Sequence, residues 1–95
     1  MYYDPILVGK RIRELRIMKG VTQEQLAMKV SLTSDHIGRI EIGKRGCSID
    51  LLIELSSYFD VSLDYLLLGK DDSAPMAKQI VRWMIRALTD LEQFL

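Results

Sequence analysis

The chain has 95 residues, 48% of them apolar, with 13 basic and 13 acidic side chains and no net charge. That length and composition exclude a disordered chain and predict one small packed domain with room for one added element. No apolar run approaches the ~20 residues that cross a bilayer, the opening MYYDPILVGKRIREL lacks the layout of a secretory leader, and the single Cys47 forms no internal disulfide, so a cytoplasmic protein without membrane contact is expected.

Asp4-Pro5 predicts a helix start, with Asp as N-cap and Pro in the first turn. Val8, Ile12 and Leu15 then recur at helical spacing. Lys10, Arg11 and Arg13 fall off that stripe, open to a phosphate-facing role or a merely solvated one. Lys19-Gly20 is a stop signal. Thr22 and Gln25 form a capping box for a short helix, Gln23–Val30, with Leu26, Ala27 and Val30 inward. Ser31-Leu32 is a tight connection. Thr33 caps a third helix, Ser34 to about Ile42, with Ile37 and Ile40 inward, and Gly43 ends it.

Lys44-Arg45-Gly46-Cys47 is a basic loop, whose cations would lower the Cys47 thiol pKa, although an inert loop cysteine is the plainer reading. Ser48 caps a fourth helix to about Phe59, with Ile49, Leu52, Leu55 and Phe59 on one face. Ser62 caps a fifth, Leu63–Leu68, closed by Gly69. Residues 70–75 read as a polar linker, and residues 76–95 as a C-terminal helix capped by Ser73. In that helix Ala77, Val81, Met84, Leu88, Leu91 and Leu95 alternate in steps of four and three, a heptad-like seam suited to a second copy. Trp83 lies beside the seam, packing on the domain or on a partner.

The zero net charge hides a polarised chain. Residues 1–46 carry nine Lys or Arg against five Asp or Glu, whereas residues 47–73 carry one against six. Within the basic half lie two short helices joined by a tight turn. Ala27 is small where they must approach, and Ile37 and Ile40 can pack over Leu26 and Val30. The second helix then turns Ser34, Asp35, Gly38 and Arg39 outward. A protruding helix of that size fits a DNA major groove, ~12 Å wide. His36, the only histidine, falls on its flank and has no partners for a metal site or a triad.

TQEQLA, I-x-R-I-E-x-G-K and F-D-V-S-L-D-Y-L-L are the most specific parts of a stretch, residues 6–69, that resembles the phage repressor and Cro-type helix-turn-helix family, often called the Xre family. The resemblance implies an all-α fold: a five-helix repressor-like domain over residues 1–69, with a C-terminal helix added here. It implies that Gln23 touches backbone phosphate, that Ser34, Asp35 and Arg39 read bases with Thr33 at the phosphate edge, and that Lys44 and Arg45 lie along the backbone. Arg16 and Glu41 match positions that commonly form an internal ion pair. Three positions depart from the family's habit: Ser31 stands where glycine is usual, Cys47 where proline is frequent, and Asp35 brings a negative charge to the reading face.

Two functions fit these residues. One is a sequence-specific DNA-binding transcriptional regulator, a repressor acting as a homodimer on a two-fold symmetric operator in double-stranded DNA. Its dimer seam would use Val81, Met84, Leu88, Leu91 and Leu95. The other is a protein-interaction module, an antitoxin or antagonist, that uses the apolar C-terminal helix and binds DNA only secondarily. No acid pair, metal-ligand cluster or phosphate loop is present, so no enzyme, cofactor or metal is expected. The chain leaves no room for an inducer domain, so no small-molecule ligand is expected.

Overall fold

Asp4 begins the fold by accepting from the Ile6 and Leu7 amides at 2.9 and 3.5 Å. The helix it caps, α1 (Pro5–Lys19), ends at Gly20 in the left-handed conformation. The computed structural model describes the backbone of residues 3–70 and 75–92, and side chains over 3–70 and 80–91. Those residues form five further helices and no strand: α2 (Gln23–Lys29), α3 (Ser34–Glu41), α4 (Ile49–Phe59), α5 (Leu63–Leu68) and α6 (Pro75–Glu92). Thr22, Thr33, Ser48 and Ser62 each cap the helix that follows, accepting from an amide three residues on at 3.0–3.1 Å. Each such cap satisfies an amide that has no partner within its helix.

One core joins α1 to α5. Ile12, Leu15, Leu26, Ile37, Leu55, Phe59 and Leu66 are fully buried in it. Gly9 lets α1 cross the end of α3, because a Cβ there would run into the carbonyl oxygens of Ile40 and Glu41. Arg11 is spoken for: it donates to the Leu66 carbonyl at 3.0 Å and closes the C-terminal end of α5. Lys10 and Arg13 stay exposed.

Several boundaries differ from expectation. Val30 and Ile42 are the C-caps of α2 and α3 rather than their last turns. Ile49 is 71% exposed, and the buried face of α4 is Leu51, Leu52, Leu55 and Phe59. At about 100° per residue, Ile49 lies well to the side of the middle of that face. Asp60 ends α4 with φ 55°, a left-handed cap that its short polar side chain tolerates. The last helix begins at Pro75, inside the expected linker; residues 71–74, with the expected Ser73 cap, lie outside the described residues, as does Leu95.

The last helix touches the domain along one edge. Trp83 is partly buried against the core, and Lys19 Nζ sits 3.6 Å from the Tyr58 ring centroid and 5.8 Å from that of Trp83. Burial pushes the Lys19 ammonium pKa down, with the Arg86 and Lys29 cations adding to it and Asp60 opposing. Arg82 pairs with Asp60 at 3.6 Å. The opposite edge is open: Val81, Met84, Leu88 and Leu91 are each more than half exposed. Among the described residues no helix is long and apolar enough to cross a membrane.

Candidate nucleic-acid interface

The connection between α2 and α3 is closed by the Leu32 amide, which donates to the Ala27 carbonyl at 2.8 Å. The chain makes this turn with Ser31 at φ 58°. A left-handed serine is disfavoured, but its side chain is exposed and the flanking Val30 and Leu32 pack on the core, which holds the turn in place. Ala27 is 2% exposed between the two helices. With Leu26, Val30, Ile37 and Ile40 buried beneath, α3 has one orientation and presents its other face to solvent.

That face gathers most of the expected residues. Gln23, Ser34, Asp35, Gly38, Arg39 and Ile42 line one open cleft of about 430 Å³. Arg39 and Ile42 also line a neighbouring cleft with Lys44 and Arg45. The surface therefore runs from the start of α2, along α3, to the basic loop. Thr33 stays at the N-terminal edge of α3, where its hydroxyl accepts from the His36 amide at 3.1 Å. His36 turns away into a cleft lined also by Arg45, Asp50 and Glu54.

Beneath this surface lies a buried polar cluster. Glu41 is 5% exposed. Arg16 grips it through two donors, Nε to Oε2 at 2.6 Å and Nη2 to Oε1 at 3.2 Å. Arg16 also donates from Nη1 to the Val21 carbonyl at 3.0 Å, tying α1 to the entry of α2. Gln23 Nε2 donates to Glu41 Oε1 at 3.0 Å. A carboxylate held by three charge-assisted donors is satisfied despite its burial. Gln23 is half-buried and keeps a second amide hydrogen for an outside acceptor.

Sequence reasoning missed Ile42. The spacing places it in the last turn of the third helix, yet it is 59% exposed between the two clefts. Its only signal was an apolar side chain directly before a helix-ending glycine. Cys47 differs from the reactive alternative: burial pushes its thiol pKa up, partly offset by the Tyr3 hydroxyl, and its amide donates to the Tyr3 oxygen at 3.0 Å.

The pattern of the helix-turn-helix family HTH_3 matches residues 12–66, from α1 to α5. The chain belongs to this helix-turn-helix family. A curated relative, the HTH-type transcriptional regulator ImmR of Bacillus subtilis (strain 168), is 38% identical over 65 residues, 68% of this chain and 50% of ImmR. The chain thus spans about half the length of that relative. The restriction-modification controller protein C.AhdI of Aeromonas hydrophila superposes with a TM-score of 0.60 at 35% identity, over 66% of this chain and 91% of C.AhdI. The P22 c2 repressor, solved with a synthetic operator, superposes at 0.64 and 31% identity, over 67% of this chain and 97% of that one. The all-helical fold is therefore the repressor-like helix-turn-helix fold, and α2 and α3 are its helix-turn-helix.

Proposed function

We propose that this helix-turn-helix protein is a sequence-specific DNA-binding transcriptional regulator, a repressor that binds a two-fold symmetric operator as a homodimer. The observation that carries the reading is the single surface formed by Gln23, Ser34, Asp35, Gly38, Arg39, Lys44 and Arg45. The printed roles of ImmR, a transcriptional regulator, and of P22 c2, a repressor in complex with operator, support it. Arg39 is the guanine reader, through two donors to O6 and N7. Ser34 and Asp35 face neighbouring base edges. Gln23, Thr33, Lys44 and Arg45 hold the phosphates on either side. The role is binding rather than catalysis. A single reading helix covers few base pairs, so two copies about one helical turn apart give useful selectivity.

The open apolar edge of α6 favours a second reading, an interaction module for another protein, only if that edge does not take a second copy of this chain. Random-site selection on duplex DNA with the purified protein, run beside sedimentation, tests both. A palindromic motif with a dimer supports the regulator. No enriched motif at low salt overturns it.

A further inference from the structure

Arg39 Nε lies 3.2 Å from Asp35 Oδ2, one helical turn back on the outer face of α3. Both side chains are open to solvent, 58% exposed for Arg39 and 76% for Asp35. An ion pair this exposed contributes little to stability. A carboxylate on a surface that meets phosphates also lowers affinity by like-charge repulsion. What it supplies is direction. A free guanidinium on a long stem can swing to the nearest phosphate, where every sequence satisfies it. With the carboxylate paired beside Nε, the guanidinium keeps its two terminal nitrogens for the paired acceptors of guanine.

Resting on the DNA-reading role of α3, we propose that Asp35 is a specificity-determining residue that acts through Arg39. It holds the guanidinium over the base edges and away from the backbone. Asp35 is thus a positioning residue, and the operator preference it controls is the guanine opposite Arg39.

The test is random-site selection, followed by competition binding, with the full chain as wild type, Asp35→Asn, Asp35→Ala and Arg39→Ala. The contact is an ion pair, so Asp35→Asn, which keeps the shape and removes the charge, weakens the guanine preference. Asp35→Ala loses it by ~10-fold, within the range of one bidentate base contact, and approaches Arg39→Ala. Both Asp35 variants bind random DNA more tightly, because a negative charge has gone. If Asp35→Ala keeps the full preference at that guanine, or loses preference only at a neighbouring base, Asp35 does not act through Arg39 and the inference is overturned. An equal loss on all sequences together with a lower melting temperature also overturns it, since that marks a structural role in the first turn of α3. In each of these cases the wild-type motif stands. A wild-type selection without a motif instead removes the DNA-reading role itself, and the inference with it.

Discussion

Gln23 Nε2 donates to Glu41 Oε1 at 3.0 Å, so the first residue of α2 is held by the last residue of α3. The same carboxylate is clamped by Arg16 from α1. The side chain proposed to touch phosphate is therefore fixed by the cluster that locks the three helices together. Ordering Gln23 before DNA arrives lowers the entropy cost of the contact.

Removing one partner from this cluster leaves a buried charge uncompensated. Glu41→Ala should lower the unfolding free energy by ~3–5 kcal/mol, and Arg16→Ala by a similar amount. The double variant should lose clearly less than the sum of the two. Urea denaturation of the four proteins measures this. Additive losses would show that the pair is not coupled in solution.

Arg39 and Lys44 should fail differently. Arg39→Ala should cost ~1–3 kcal/mol on the selected site and relax preference at one base position. Lys44→Ala should weaken every sequence alike and flatten the salt dependence. With roughly six to ten phosphate contacts, the proposed dimer should lose ~10³–10⁵ in affinity between 50 and 200 mM salt. Fluorescence anisotropy across a salt series reads both effects. Sequence-blind losses for both variants would reduce Arg39 to a phosphate contact.

Gly38 is not required by the packing of the protein. A Cβ there would meet only the Gln23 side chain, at an ordinary 3.7 Å. Gly38→Ala should therefore stabilise α3 by ~0.5–1 kcal/mol, the helix propensity difference. If the bare backbone is there to approach a base edge, the same variant should bind operator ~10-fold more weakly, about 1.4 kcal/mol. A variant that is both more stable and fully active would remove Gly38 from the interface.

Much of this was legible because the signals were local. Every expected cap is made at its expected residue from Asp4 to Ser62, since capping depends on side chains within a turn. The outward face of α3, with Ser34, Asp35, Gly38 and Arg39, followed from helical spacing. What stayed hidden depends on distant partners. Arg11 and Arg13 look alike in sequence, and only the fold sends Arg11 to the α5 carbonyl. Gly9 carries no local mark of the crossing with α3. The exposure of Ile42 depends on where the chain leaves α3, not on its period.

Ser31 is the one non-glycine residue of the helix-turn-helix connection held at positive φ. Its side chain is exposed, so glycine there removes strain without removing a contact. Ser31→Gly should raise stability by up to ~1 kcal/mol after the extra freedom of glycine in the unfolded chain is counted. A β-branched residue suits this conformation worse, so Ser31→Val should lower stability by at least ~1 kcal/mol. Thermal melts of the two variants should move in opposite directions. A neutral or destabilised glycine variant would mean that the turn relaxes in solution.

The proposed dimer rests on the two edges of α6. Its inner edge is committed to the domain through Trp83, packed near Lys19 and Tyr58, and through Arg82 with Asp60. Its outer edge exposes Val81, Met84, Leu88 and Leu91, at 53–61% each. An apolar edge of this kind is buried on both chains at once by a two-fold axis. Because Trp83 fastens the helix to the domain, such a dimer would also set the spacing of the two α3 helices on DNA. Each glutamate placed near the axis meets its own copy from the other chain, so every substitution there brings two like charges together. The full chain carrying Met84→Glu and Leu88→Glu should therefore sediment as a monomer. Both positions are solvent-exposed in the single chain, at 59% and 61%, so the domain should keep its melting temperature apart from any contribution of dimerisation. Binding to a full operator should fall steeply, whereas binding to a half-site should persist. Trp83→Ala should stay dimeric but bind the full operator more weakly, because the mount is loosened. A Met84→Glu, Leu88→Glu protein that remains dimeric with full affinity would place the interface elsewhere, with the exposed Ile49, Ile53 and Leu63 of α4 and α5 next in line.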